Sequence, residues 1–531
     1  MELHSYILPC YTKASLTNRV MLLEYLYTMF IETIQAGILP CSIVLFGLWA
    51  FRIVYNIYFH PLAKIPGPWI AAITDIPYCW WLLGGRQPFD MLKLHNKYGP
   101  AVRIAPNEVS FNTAQAWKDI YTHGPGRQVF IKGKFYDGAC FGAEGLQRGI
   151  STIASERRPE VHKQMKSQWA SAFSERAIVE QEELIAISAD KLIRQVGVRG
   201  SKEEGFDLPT LFEAMTFDVM GDLAFGQPFG ALDMETRHPW ISAAIGTLMM
   251  SIIIDVLNHY PTIARGLVML MHGKFKKAVE DMKTNERLVY NLVKKRIEAK
   301  TDRKDFLTRV IQERDPNDVS DKQIAAHSSD MVIAGSDTTA TGLSSIVYFL
   351  LQNPSSLAKL KAEVRDTFDQ YSQITYSSTI KMKYLRAVIQ EGLRILPPVS
   401  VPLPRDVPDG GAVVDGQFLP GGTHVGANPL ATSLSSANFH DPFSWKPERW
   451  IDPDCKDNLE SFLPFSLGPR VCIGRNVAWL ELHVTIAKLF WVYDLELADP
   501  SIDWHRDVRM FSLWKMPKLM IRAKNRGVKI E

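Results

Sequence analysis

Ten residues near the C-terminus constrain this chain more than any other stretch. Phe465-Ser466-Leu467-Gly468-Pro469-Arg470-Val471-Cys472-Ile473-Gly474 follows the pattern F-x-x-G-x-R-x-C-x-G at every fixed position. In a chain of 531 residues with average usage, a chance match is on the order of one in ten thousand. A lone cysteine is ordinarily a small buried hydrophobe, but that leaves the flanking glycines and arginine without a purpose. A thiolate bound to haem iron explains them. Gly468 and Gly474 permit a tight turn that aims backbone N–H groups at the sulfur. Arg475 to Trp491 reads as a helix beginning just after Cys472, and its N-terminal dipole favours a negative sulfur and lowers its pKa. Phe465 can pack beside the sulfur and exclude water. Arg470 supplies a fixed cation that can pair with a haem propionate.

The chain as a whole reads as one large catalytic domain behind a membrane anchor. Residues 34–55 are apolar apart from Gln35 and Arg52, and about 20 such residues suffice to span a bilayer. Residues 1–33 form an N-terminal segment whose 20–34 stretch is apolar with two acids inside, compatible with an interfacial or second spanning segment. Residues 56–69 form a proline-rich hinge, and 70–531 form the catalytic domain. Amphipathic windows predict helices over 158–172, 175–196, 275–298, 322–352 and 356–368. Strand-like pieces are short: 101–104, 109–111, 412–414 and 423–426. The fold class is therefore mainly α with small β-sheets, an α+β arrangement rather than alternating βαβ units. Lys274, Lys276, Lys277, Lys294, Lys295 and Arg296 read as one solvated helix face.

Charge and cysteine usage exclude several function classes. The formal net charge is +3 with no long block of like charge, which gives no basic footprint for nucleic acid. The six cysteines are widely separated, with no zinc-type spacing and no disulfide framework. Together with the lack of a glycosylation sequon, this fits a domain facing the cytosol. Gly138, Gly142 and Gly145 do not have the spacing of a phosphate loop and read as a flexible segment.

Three further motifs precede the cysteine loop. Ala334-Gly335-Ser336-Asp337-Thr338-Thr339 places a glycine and hydroxyls in mid-helix, where they often mark a local bulge at a functional site. Glu391-Gly392-Leu393-Arg394 puts an acid and a base on one helical face, and Pro447-Glu448-Arg449-Trp450 follows. In this order, the four motifs resemble the cytochrome P-450 superfamily, and the 58–69 hinge and Asp218–Gly226 resemble microsomal members from filamentous fungi. Cysteine-ligated haem in that superfamily is a known case of a thiolate pushing electron density toward O–O cleavage.

The resemblance implies haem b with Cys472 as axial ligand. It implies that Asp337 and Thr338 deliver protons and that Glu391, Arg394 and Arg449 form a structural ion network. His162 and Lys166, at i and i+4, and Arg405 would join Arg470 around the propionates. It further implies a monooxygenase acting with O2 on a lipophilic small molecule, such as a terpenoid, polyketide or alkaloid intermediate of secondary metabolism. Met331–Ala334, Val399–Leu403, Phe130–Phe141 and Phe511–Trp514 are the expected pocket walls. No flavin or NADPH-binding segment is recognisable, so electrons are expected from a separate NADPH-dependent flavoprotein reductase docked on basic residues such as Lys163, Arg470 and Arg475. The implied location is the endoplasmic reticulum membrane, single-pass, with a cytosolic domain. A haem-thiolate isomerase or dehydratase, or a membrane haem-binding protein without turnover, would share the cysteine loop; such isomerases often lose the acid and alcohol that Asp337 and Thr338 retain.

Overall fold

The computed structural model describes residues 13–124, 128–141, 149–260, 266, 272–299, 301, 303–315 and 319–530. The chain divides into two compact units, Met1–Ala63 and Lys64–Glu531. The division falls within the proline-rich 56–69 segment.

The first unit is dominated by one helix, α1, Lys13–Val54. At about 1.5 Å per residue, its 42 residues extend for about 63 Å. Pro40 lies inside α1 without ending it, and a wide turn of helix, Tyr55–Phe59, follows. The 20–34 stretch is thus continuous with the 34–55 stretch in one rod. Pro40–Phe59 is long and apolar enough to cross a membrane, and only 6% of it is buried.

In the second unit, seven helices matter for the site: α2 Pro159–Ala170, α3 Leu208–Phe225, α4 Pro239–His259, α5 His272–Glu298, α6 Asp321–Gln352, α7 Lys383–Ile395 and α8 Arg475–Val492. The helix α3 is buried along almost its whole length, as an all-round apolar sequence requires. Long α6 packs along it. Contact is close enough that a Cβ on Gly335 would lie 2.5 Å from the Met220 sulfur. The Thr216 hydroxyl of α3 donates to the Ser336 carbonyl of α6 at 2.9 Å. The α6 N-terminus is capped by Ser320, whose side chain accepts from the Gln323 N–H.

The sheets are small. The largest has the strand order 101–105, 108–111, 424–427, 405–406, 131–132. Its last two strands pair antiparallel with Lys132 opposite Arg405. A three-stranded sheet of 206–207, 520–525 and 493–497 closes the C-terminal end.

Most expected elements appear within a few residues of their predicted ends, and three expectations need correction. The 175–196 window is two helices, Glu175–Glu180 and Glu182–Gly200, meeting at Gln181. Arg296 does not belong to a solvated face: it is 6% exposed and grips Asp305 with Nε at 3.0 Å and Nη2 at 2.9 Å. Lys276, Lys294 and Lys295 of that set are exposed, whereas the side chains of Lys274 and Lys277 lie outside the described residues, as do Gly142 and Gly145. Finally, α6 runs unbroken through Ala334–Thr339 without a bulge. The hydroxyls bond back along the helix instead, Thr338 to the Ala334 carbonyl at 2.6 Å and Ser336 to the Val332 carbonyl at 2.6 Å.

Candidate active site

A cavity of about 320 Å³ lies between α6 and the cysteine loop. Its walls include Ala334, Gly335 and Thr338 from α6, Cys472 and Phe465 from the loop, and Glu481 from α8. Cys472 has accessible area yet lies deep in the molecule, because the area faces the cavity.

The loop holds its shape through its backbone. The Cys472 N–H donates to the Phe465 carbonyl at 2.9 Å. Gly468 has φ +66°, and a side chain there would run into the Tyr121 carbonyl. The first residue of α8 follows Gly474, which provides no side-chain cap. The Gly474 N–H, just before that end, bonds to the Cys472 sulfur. Burial nevertheless pushes the Cys472 thiol up, while the Gly474 N–H, Lys166 and Arg475 pull it down. The lowering expected at the helix end is present, through the Gly474 N–H, but desolvation is larger and the net direction is upward.

One end of the cavity region is cationic. Lys132, His162, Arg405 and Arg470 are drawn close enough to repel one another, with Lys166 beside them. Burial and these neighbours depress His162 to about 3 and hold Lys132 well below the usual lysine range. Arg470 falls to about 10, first through burial and then through Arg405. Lys132 and Arg405 are 6% and 3% exposed. Arg470 donates to the backbone carbonyls of Glu156 and Arg157. It faces inward and is not available for docking a partner, unlike exposed Lys163 and Arg475. The Lys166 ammonium donates to the Pro469 and Val471 carbonyls at 2.8 and 3.1 Å, so it braces the cysteine loop.

Behind the loop, Glu391 is the hub of a buried network. It accepts from Arg394 at 2.8 and 2.7 Å, Arg449 at 3.2 Å, the Trp450 indole at 3.0 Å and the Lys446 N–H at 2.9 Å. Arg449 reaches on to Asp457. Asp337 on α6 has one carboxylate oxygen buried without a partner. Burial, then the charge of Glu213, raises its carboxyl to about 7.

A family model described as Cytochrome P450 matches residues 72–521. The chain belongs to the cytochrome P-450 family. Similar relatives include the monooxygenase ORF11 of Penicillium roqueforti, 44% identical over 84% of this chain and 91% of its own length. The monooxygenase BipB of Cochliobolus sativus is 40% identical over 92% and 97%, and BOT4 of Botryotinia fuckeliana 34% over 93% and 92%. This cytochrome P-450 is accordingly a haem-thiolate monooxygenase that takes O2, a small-molecule substrate and electrons from a redox partner.

The residues present fit haem b. A sulfur faces the cavity from the loop, α6 forms the opposite wall, and a buried excess of cations stands where two carboxylates would neutralise it. The expected wall segments 331–334 and 399–403 contribute Met331, Ala334, Val399 and Leu403 to the lining. Among the described residues, the segments 130–141 and 511–514 are absent from this lining, but Phe135 and Ser512 line a smaller pocket with Val401 and Pro402; aromatic residues of the main cavity come from Trp117, Phe173 and Phe306. Sequence reasoning also missed Lys132 and Glu481. Lys132 carries no local motif and reaches the site only through strand pairing. Glu481 is an acid in the run Val477-Ala478-Trp479-Leu480-Glu481-Leu482, and that contrast was the available signal. It is 1% exposed with both oxygens unpartnered by the hydrogen-bond geometry, and burial holds it far above the usual carboxylate range, with Thr339 alone opposing.

Proposed function

We propose that Cys472 is the axial ligand, that Lys132, His162, Arg405 and Arg470 hold the propionates, and that Asp337 and Thr338 carry protons into the cavity. The observation that carries this reading is that Cys472 and Thr338 line one and the same largely apolar cavity. Bound haem supplies the redox chemistry that activates dioxygen. The chain supplies the rest. Lys132, Arg405 and Arg470 fix the cofactor's carboxylates by charge-assisted hydrogen bonds, and the neutral His162 ring adds an N–H. Phe465, Phe173, Phe306 and Met331 exclude water. Asp337, raised to about 7, can both hold and release a proton at neutral pH, and the Thr338 hydroxyl can exchange its Ala334 bond for one into the cavity. Glu391, Arg394 and Arg449 keep the scaffold under the loop rigid.

The substrate is a lipophilic small molecule, an intermediate of secondary metabolism such as a terpenoid, polyketide or alkaloid. The apolar lining and the similarity to fungal monooxygenases support this. Electrons come from an NADPH-dependent flavoprotein reductase, for which exposed Lys163 and Arg475 supply part of a basic docking face. Pro40–Phe59 supports a single-pass anchor in the endoplasmic reticulum membrane.

The test is a carbon monoxide difference spectrum of the dithionite-reduced protein. The wild type should give the red-shifted thiolate-type Soret band, and Cys472→Ala should lose it. Absence of the band from folded, haem-supplied wild type would overturn the assignment.

A further inference from the structure

Asp337 lies on α6 away from bulk solvent, and a proton it gives to the cavity must be replaced. Splitting O2 with insertion of one oxygen atom consumes two protons and two electrons and releases one water. The electrons come from the redox partner; the protons must come through the fold.

Among the described residues, the carboxylate whose charge acts on Asp337 is Glu213, on α3, and the cation is Arg237, in the segment between α3 and α4. Arg237 clamps Glu213 bidentately, Nε to Oε2 at 2.9 Å and Nη2 to Oε1 at 2.5 Å. The side chains are 41% exposed for Arg237 and 15% for Glu213, so this pair reaches the outer surface. The helix packing places Glu213 toward Asp337. Thr216, one turn after Glu213, bonds to Ser336, the residue before Asp337. Asp337 keeps one buried oxygen unpartnered. The remaining charge acting on Glu213 is Asp207, which raises it, while Arg237 lowers it.

We infer that Glu213, steered by Arg237, is the station through which Asp337 exchanges its proton with solvent. The inference rests on the proton-carrying role proposed for Asp337. A proton from bulk solvent, delivered by hydronium, protonates the Glu213 carboxylate; that acid passes the proton to ionised Asp337; Asp337 passes it toward Thr338. Glu213 returns to the carboxylate, and no charge accumulates. Burial pushes both carboxyls upward, which favours proton uptake by each over that of an exposed carboxylate. Glu213 acts through Asp337 and touches no reacting atom: it is a positioning residue for the proton path.

The experiment uses full-length, haem-loaded protein and infrared difference spectroscopy of the protonated carboxyl band, assigned to Asp337 by its loss in Asp337→Asn. Transfer into D2O shifts the band and times the exchange. In Glu213→Gln, exchange should slow by at least about ten-fold, an order below the 10²-fold and more of a direct acid–base group; Glu213→Asp should restore it. The midpoint of the Asp337 band should fall in Glu213→Gln, which removes a neighbouring negative charge, and rise in Arg237→Met, which removes the cation. If Glu213→Gln does not fold, Arg237→Met carries the test: releasing Glu213 from its clamp should slow exchange, and unchanged exchange there would overturn the inference. Unchanged exchange in variants with an intact thiolate Soret band would make the pair a structural ion pair and overturn the inference, whatever the midpoint does. A wild type without that band would instead strike the haem assignment, and the proton path with it.

Discussion

Replacing Glu391 by Gln tests the buried network most directly. Glu391 and Arg394 are both 0% exposed, and the carboxylate accepts from four groups. An amide keeps one acceptor oxygen but turns an NH2 toward donors. With its oxygen facing Lys446, Arg449 and Arg394 Nη2, its nitrogen meets Arg394 Nε and the Trp450 indole. Two guanidinium ions then share a buried site without a full counter-charge. Breaking a buried pair in this way costs about 3–5 kcal/mol. For a unit of about 470 residues, an unfolding entropy of ~2.1 cal/mol/K per residue gives ~1 kcal/mol/K, so Tm should fall by about 3–5 °C. Calorimetry at one scan rate on haem-loaded protein measures this. Glu460→Gln is the control: its pairing with Lys118 is solvent-exposed, 69% and 45%, and its loss should shift Tm by less than 1 °C. Equal shifts for the two variants would refute the claim that Glu391 acts as a buried counter-ion.

Three further outcomes follow from the geometry. Gly335→Ala should cost about 1–3 kcal/mol through collision with Met220, and combining it with Met220→Ala should cost less than the sum of the two in chemical denaturation. Asp337 is raised from 3.8 to about 7, so the folded state binds more protons between those values and stability falls as pH rises through that window. Asp337→Asn should flatten the decline between pH 5 and pH 8 by about 3 kcal/mol, read from denaturant midpoints; an unaltered decline would refute the shift. Lys132→Met should speed haem transfer to apomyoglobin about ten-fold, the loss of one charge-assisted bond of roughly 1.5 kcal/mol, with Cys472 ligation retained in the carbon monoxide spectrum.

What the sequence disclosed was whatever its chemistry kept local. The cysteine loop, the Ala334–Thr339 run and Glu391–Arg394 each lie on one element, and their residue types are costly unless used. Helix positions followed from apolar periodicity, since α6 and α8 each bury long faces. What stayed hidden depends on pairings distant in sequence. Arg296 looked solvated because Asp305 follows in the next segment and its burial is tertiary. Lys132 is 273 positions from its strand partner Arg405, and Glu213 is 124 from Asp337. Phe306 opens the amphipathic helix Phe306–Glu313 and Phe173 closes a short helical turn, but periodicity shows only that such residues are buried, not that they face the cavity. The net rise of the Cys472 pKa was missed because a helix end can be read from sequence and desolvation cannot.

The pairing of Lys132 with Arg405 has a consequence for assembly. The two strands that carry them, 131–132 and 405–406, are two residues long, too short to fix their own alignment. A slip by one residue would send each side chain to the opposite face and bring Asp406 where Arg405 belongs. Correct alignment sets two buried cations side by side, which favours neither strand until an anion lies between them. On the proposed propionate site, the cofactor's carboxylates would reward one alignment and penalise its neighbour, so that loading with haem would proofread the sheet edge.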